Sequence, residues 1–542
     1  MLKSVFRLAS AIALTLAVTH AAYATAPPNM VPPNVVLADN QELVRHYGSE
    51  AASIDPAMCE SVQEALVDAD LFEGLTRADN AGQIQPGVAE SWQRTDPTTW
   101  IFKLRHDAKW SNGVPITAAD FIYAWQRVVD PKTASVYTIL ISFVANAKAI
   151  LAGALPPSKL GVRALDPYTL EVKTESPVPF LAAMVSNPVL APVYRPAVEK
   201  FGNEWTKPDH LVGNGAFTLH YWSPNDKLVV VKNPWYWNAA HVVLNAVDWI
   251  PIDNNDTATK QFESGQLDMT YELPPGSYAS LKAKYGNQVH IAPQSANYFF
   301  ALNVHDPALK DVRVREALSM VIDRDTLVKR ILGDGELPSA DLMPIKVEGA
   351  SPTPRDWESL PMDKRIAAAR QLLAAAGYSA QKPLTLKYSY NTTDINKLVG
   401  LYVLSEWRNK LGVQGTMENQ EWKVFIQTRH DGTFQVARHG WSADYNDATT
   451  YLDLVRCGSD SNDMKYCNPK VDALIAQGGN ETDTLKRTAL LTQADRLAMS
   501  EYPIIPLYQR VTARLVRSYV GGYTDLDPLD RVPSQDLYII KH

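Results

Sequence analysis

Apolar and polar positions change their period repeatedly along the 542-residue chain. The stretch "ELVRHYGSEAASIDPAMCESVQEALVDADLFEGL" opens as a short strand. It closes as an amphipathic helix with Val62, Ala65, Leu66 and Ala69 on one face. "TTWIFKLRHDAKW" alternates as a strand and runs into a turn at "SNGVP". "TAADFIYAWQRVVD" is a helix: Thr117 suits its N-cap, Asp120 its third position, and Pro131 follows its end. Further strands are predicted at "LEVKTE", "KLVVVKN", "AVDWIPI" and "KPLTLKYSYN". Further helices are predicted at "DVRVREALSMVIDRDTLVKRIL", broken near Asp323, at "MDKRIAAARQLLAAAGY" with Gly377 as its cap, and at "DINKLVGLYVLSEWRNKLG". "YPIIPLY" and "RLVRSYVGGY" close the fold. Strands and helices alternate throughout, so the expected class is mixed α/β. No repeat, low-complexity tract or obvious linker marks a domain edge.

One strand-like stretch breaks its own pattern. "GWSADYND" carries Trp441 and Tyr445 but places Asp444 between them. A carboxylate there either caps a turn or waits for a positive charge.

Length and composition narrow the picture. The chain is too long for one core, so two or three domains are expected. Hydrophobic residues make up 46% and charged residues 20%, ordinary for a soluble globular protein. Residues 1–24 read as a cleaved export signal: Lys3 and Arg7, the apolar run "LASAIALTLAV", then "AYA". No cysteine directly follows, which argues against a lipid anchor. Removing Lys3 and Arg7 takes the formal charge from −7 to −9, which argues against a nucleic-acid partner. An oxidising compartment permits disulfides. Cys457 and Cys467 bracket a polar, turn-rich segment and are expected to pair; two independent thiols are the alternative. Cys59 then reads as a buried, inert hydrophobe.

Catalytic signatures are missing from the pattern. There is no G-x-S-x-G elbow, no Walker loop and no H-x-x-x-H zinc helix. His430 and His439 lie near the "GWSADYND" stretch without a nucleophile pattern beside them, so a structural or surface reading is preferred.

From Glu42 to the terminus the chain resembles the periplasmic oligopeptide-binding proteins, the solute-binding components of peptide ABC importers. The resemblance is carried in order by "DLFEGL", "PGVAESWQ", "FKLRHDAKWSNGVPITAADFIYAWQRVVDPKTAS", "NGAF", "DVRVREAL", "NQEW", "TRHDGTF", "ARHGWSADYND" and "VGGYTDLDPLD…LYIIKH". It implies two lobes around a hinged cleft. Lobe I would comprise 25–72, 197–296 and 512–542; a small domain 73–196; lobe II 297–511. The family binds an extended peptide between the lobes, pairing it to strands with hydrated side-chain pockets.

By motif position, Asp444 is expected to meet the peptide's α-ammonium, and Arg438 and Arg429 its carboxylate. Gly440 and Ser442 would offer backbone groups from one lobe, and Glu60, Ser61 and Val62 from the other. Trp441, Trp422, Tyr271, Tyr298 and Tyr508 are candidate pocket walls, with Tyr137 a weaker one. Departures are visible. Asn396 stands where the best-known member has a histidine, and Glu272 where a neutral amide is usual, which would favour basic ligand side chains. No lysine stands in register near Leu332. Ser295 and Ser442 replace a cysteine pair of some relatives. The resemblance implies no cofactor, metal or catalysis, a monomer, short peptides as ligands and an inner-membrane ABC permease as partner. Alternatives are a murein-tripeptide receptor of the same family or, in another class, an exported hydrolase.

Overall fold

A computed structural model describes residues 31–542 apart from 60, 136, 421 and 460, together with the side chains of all but 422 and 423 among the rest. The export segment and Glu60 therefore lie outside the described residues, as does the Trp422 side chain.

The elements follow the local signals closely. Helix α1 (Val62–Leu71) starts at Ser61, whose hydroxyl accepts from the Glu64 N–H while Glu64 accepts from the Ser61 N–H. Helix α2 (Ala118–Val129) starts after Thr117, whose N–H and hydroxyl donate to Asp120 at 2.8 and 3.0 Å. The long helix expected from Asp311 does break: Val312–Met320 stops, and Asp323 caps a second piece from Arg324. Met362–Ala375 ends before Gly377, whose φ of 90° only glycine adopts without strain.

Three larger sheets organise the chain. The first has the order β1 (Glu42–His46), β10 (Ala246–Ile250), β9 (Lys227–Lys232), β8 (Phe217–Ser223). β1 and β10 run parallel, Leu43 opposite Val247. The second is antiparallel: β4 (Ala89–Asp96), β5 (Thr99–Leu104), β7 (Thr169–Lys173), β6 (Val162–Asp166). The third has six strands: β12 (Leu337–Pro338), β16 (Ile504–Leu515), β11 (Val289–Leu302), β15 (Val436–Ser442), β13 (Thr385–Asn391), β14 (Gln414–Gln420). Two small ribbons, β2 (Thr76–Ala78) with β3 (Ile84–Pro86) and β17 (Val520–Gly521) with β18 (Tyr538–Ile539), complete the list.

One continuous apolar core runs beneath the first two sheets, including Trp110, Trp125, Trp205 and Trp249. The six-stranded sheet is covered on both faces. Phe300, Tyr388 and Trp407 belong to one core; Phe299, Tyr451 and Leu454 belong to the other. Neighbours Phe299 and Phe300 therefore point to opposite faces, as strand geometry requires.

β11 and β16 are long enough to serve two bodies. At one end Val289 pairs with Leu515, beside a small core of Phe262, Leu267 and Leu281. At the other, Ala301 pairs with Ile504 inside the six-stranded sheet. The register breaks between Pro293 and Asn297, where the two ends are joined. β16, twelve residues long, takes in most of "YPIIPLY" but only Arg514 and Leu515 of "RLVRSYVGGY", whose Val520 and Gly521 belong to β17.

Candidate functional site

β15 is the centre of the site. It pairs with β11 along Val436–Ser442, but β13 reaches it only at Val436 and Ala437. On that side the edge from Arg438 to Ser442 has no strand partner among the described residues. The strand stops at Ser442, so Asp444 does not interrupt a strand as its sequence pattern implies. The Ala443 N–H donates to the Ser295 carbonyl at 2.8 Å, and the chain then turns away.

Asp444 stands in that turn. The Tyr137 hydroxyl, from the segment before the second sheet is complete, donates to its carboxylate. Beside it, the rings of Phe180 and Tyr445 stack at 4.3 Å and 4°. Burial raises the Asp444 pKa above the usual carboxylate range, and the Tyr137 hydrogen bond opposes that rise. The same burial pushes the Tyr137 phenol up.

Ser61 and Val62 face the same space. Ser61 is committed to capping α1, and Val62 is 53% exposed. Together with Tyr137, Ala443 and Asp444 they border a cavity of about 1320 Å³, counting the part open to solvent. Ala65, Leu66 and Ala69 line it too. The apolar face read on this helix therefore borders a void as well as the core, which Leu66 enters together with Val67 and Leu71. Cys59 also borders the cavity, but burial and the neighbouring Asp68 and Glu64 push its thiol up, away from a reactive thiolate.

The other end of the free edge is cationic. The Arg438 guanidinium lies 5.1 Å from the Tyr298 ring centroid, and its Nε makes no hydrogen bond among the described residues. Tyr298 stacks on Tyr508 at 4.9 Å. The Tyr298 hydroxyl donates to Asn396 Oδ1 at 2.9 Å, and the Asn396 amide donates to Asn391. Asn396 thus braces the aromatic floor from behind, fully buried.

Arg429 is engaged already. Its Nε lies 3.1 Å from Asp463 Oδ2, and His439 Nε2 lies 3.2 Å from the same oxygen; His430 Nδ1 is 3.3 Å from Oδ1. Burial would raise the Asp463 pKa, but His439, Arg429 and His430 together hold it below the usual range. Burial, then Arg429, lower His439 to about 4, so its ring is neutral near pH 7. Asp463 sits in the loop closed by the Cys457–Cys467 disulfide. No sequence signal pointed to Asp463; it lies in the turn-rich segment between the two cysteines.

The remaining candidates are spread around the cleft. The Trp441 indole donates to Thr450 at 2.9 Å, which fixes its ring. Gly440 lies where a Cβ would come within 2.9 Å of the Asn297 carbonyl, so only glycine fits this close strand approach. Ser442 is exposed at the strand end. Tyr271 packs edge-on against His46, and Glu272 beside it is exposed.

A cleft between sheet-built lobes, with a free strand edge carrying opposite charges at its ends, defines a two-lobed solute receptor. The chain belongs to family 5 of the bacterial extracellular solute-binding proteins, whose middle-region family model matches residues 83–463. It is 43% identical over 515 residues to the periplasmic oligopeptide-binding protein OppA of Escherichia coli (strain K12), covering 94% of this chain and 95% of that one. A solved structure of OppA from Burkholderia pseudomallei is 51% identical, covers 93% of this chain and 100% of its own, and superposes with a TM-score of 0.74. The unliganded open form of the murein tripeptide-binding protein MppA is 40% identical, covers 94% and 99%, and superposes at 0.89. A second MppA structure, from Escherichia coli, is also 40% identical and covers 94% and 100%, but superposes at only 0.74.

Proposed function

We propose that this chain is a periplasmic receptor that captures short peptides in its interlobe cleft and delivers them to an ABC permease. The observation that carries this reading is the free edge of β15, with the half-buried Asp444 carboxylate past one end and Arg438 at the other. From Arg438 to Ser442 the edge spans roughly 14 Å, the reach of three or four extended residues. An extended peptide can add to such an edge through main-chain hydrogen bonds. Its ammonium would meet Asp444, and its carboxylate would meet Arg438, with Arg429 behind it. Gly440, Trp441 and Ser442 would present the edge, and Ser61 and Val62 the opposing lip. The relatives named for oligopeptide binding support this ligand class.

The division into lobe I (25–72, 197–296, 512–542), small domain (73–196) and lobe II (297–511) belongs to the same proposal. The register break between Pro293 and Asn297 in the crossing strands supports a hinge there. Export through residues 1–24, a monomeric state and the absence of catalysis complete it. No helix among the described residues is long and apolar enough to cross a membrane.

Native mass spectrometry of freshly purified protein tests the reading. The expected result is a population carrying co-purified peptides of two to five residues. Conversion of added peptides into products would overturn the receptor reading in favour of a hydrolase. Preferential retention of a murein tripeptide over tri-alanine would move the assignment to the murein branch, which MppA represents at 40% identity.

A further inference from the structure

The cavity that begins at Asp444 continues well past it. It does not extend toward Arg438, Tyr298 or Tyr508, none of which borders it. Instead it follows the small side chains of α1, Ala65 and Ala69, and passes Ala183 and Ala216. Glu73, Arg77 and Tyr236 border it too. Ala69 is exposed although it sits on an apolar helix face, because it looks into this void.

Apart from Asp444, the charged side chains around the chamber have protein partners, although two buried Arg77 nitrogens make no hydrogen bond. Arg77 faces Asp536 at 3.6 Å, and Glu73 accepts from the Tyr236 hydroxyl and from the Trp237 indole at 2.6 Å. Arg531 pairs with Asp527, and Asp530 with Arg514. Past Asp444, an occupant that brought its own charge would compete with these existing pairs and would bear the cost of desolvation. An uncharged apolar occupant would find methyl groups and ring edges along α1.

The chamber opens where the ligand's amino nitrogen is proposed to stop. A group attached to that nitrogen, rather than to a later residue, is the one directed into it. Capping the nitrogen removes the ammonium, but Asp444 is not left bare, because the Tyr137 hydroxyl already donates to it.

We propose that this chamber is a second compartment of the site, and that it takes an uncharged apolar acyl group carried on the amino end of a peptide. The proposal rests on the peptide reading above and extends its ligand class to N-acylated peptides with medium-length chains.

Calorimetric titration of the mature chain with tri-alanine and its N-acetyl, N-butanoyl, N-hexanoyl and N-octanoyl derivatives tests it. The acetyl cap is expected to weaken binding at least thirtyfold, since it removes the ammonium and is too short to fill the chamber. From butanoyl to octanoyl each added methylene is expected to restore affinity about threefold to fourfold. Ala69→Phe and Ala183→Phe each fill the chamber from a different element. Each should abolish this length dependence and leave tri-alanine binding within threefold; thermal melts identify a variant that fails to fold, and the other then decides. A flat response across the acyl series overturns the proposal, as does a length dependence that survives the folded variants. If the acyl series is flat but Trp-Ala-Ala gains affinity that Ala69→Phe removes, the occupant is the first side chain and the acyl assignment falls. Octanamide alone separates the two levels of failure. If tri-alanine does not bind, the peptide reading falls; octanamide binding sensitive to Ala69→Phe would still support an apolar compartment, and its absence would overturn that too.

Discussion

The Tyr137 hydroxyl donates to the carboxylate of Asp444, a residue 307 positions later in the chain. The phenol satisfies a half-buried acid that has no ion-pair partner among the described residues. A ligand ammonium would add the charge that the phenol lacks.

Asp444→Asn is therefore expected to cost roughly 2–5 kcal/mol of affinity for free peptides, measured by calorimetry. N-acetyl tri-alanine should lose a similar amount on the unchanged protein. The Asp444 pKa is raised by burial, so on acidification it takes up a proton before an ordinary carboxylate would. Peptide affinity should fall with it. Equal affinity for acetylated and free tri-alanine would assign Asp444 another task.

Arg438 and Arg429 should separate cleanly. The Nε of each makes no hydrogen bond, but Arg429 is ion-paired with Asp463, whereas Arg438 has no ion-pair partner among the described residues. Arg438→Met should erase the preference for a free peptide carboxylate over a C-terminal amide. Arg429→Met should instead lower stability by roughly 3 kcal/mol, because it strips a partner from a buried carboxylate. Urea denaturation and titration with paired acid and amide peptides check both. A reversal of the two phenotypes would place the carboxylate at Arg429.

His439 imposes a pH dependence on stability. Its folded pKa of about 4 lies below the ordinary 6.5. Between those values the unfolded imidazole binds a proton that the folded one refuses. Stability should therefore fall as pH drops from about 6.5 to about 4, with roughly 3 kcal/mol of the loss due to this ring. In His439→Gln that share of the acid slope should vanish, as read from denaturant midpoints across the range. His46, also lowered to about 4 by burial, should keep its own share.

The disulfide closes a loop between positions ten apart and carries Asp463 within it. Replacing both Cys457 and Cys467 with serine should cost roughly 3 kcal/mol by the chain-entropy estimate. It should also loosen the carboxylate that Arg429, His430 and His439 share. An unchanged denaturation midpoint would show that the loop is held by its other contacts.

The sequence by itself determined what neighbours decide. Ser61 with Glu64, Thr117 with Asp120, and Asp323 at the break are each local bargains between a backbone N–H and a nearby side chain, so their positions could be read directly. The motif order around Arg438 and Asp444 was equally legible. Only the tertiary structure decided the pairings that close over long loops. It put Asp463 against Arg429, extended the crossing strand β16 from Ile504 to Leu515, and ended β15 two residues before Asp444. It also set part of the apolar face of α1 against a cavity, while Leu66 of that face enters the core. A helical period shows which residues share a face, but what that face meets depends on segments more than a hundred residues away, such as 183–189 and 529–535.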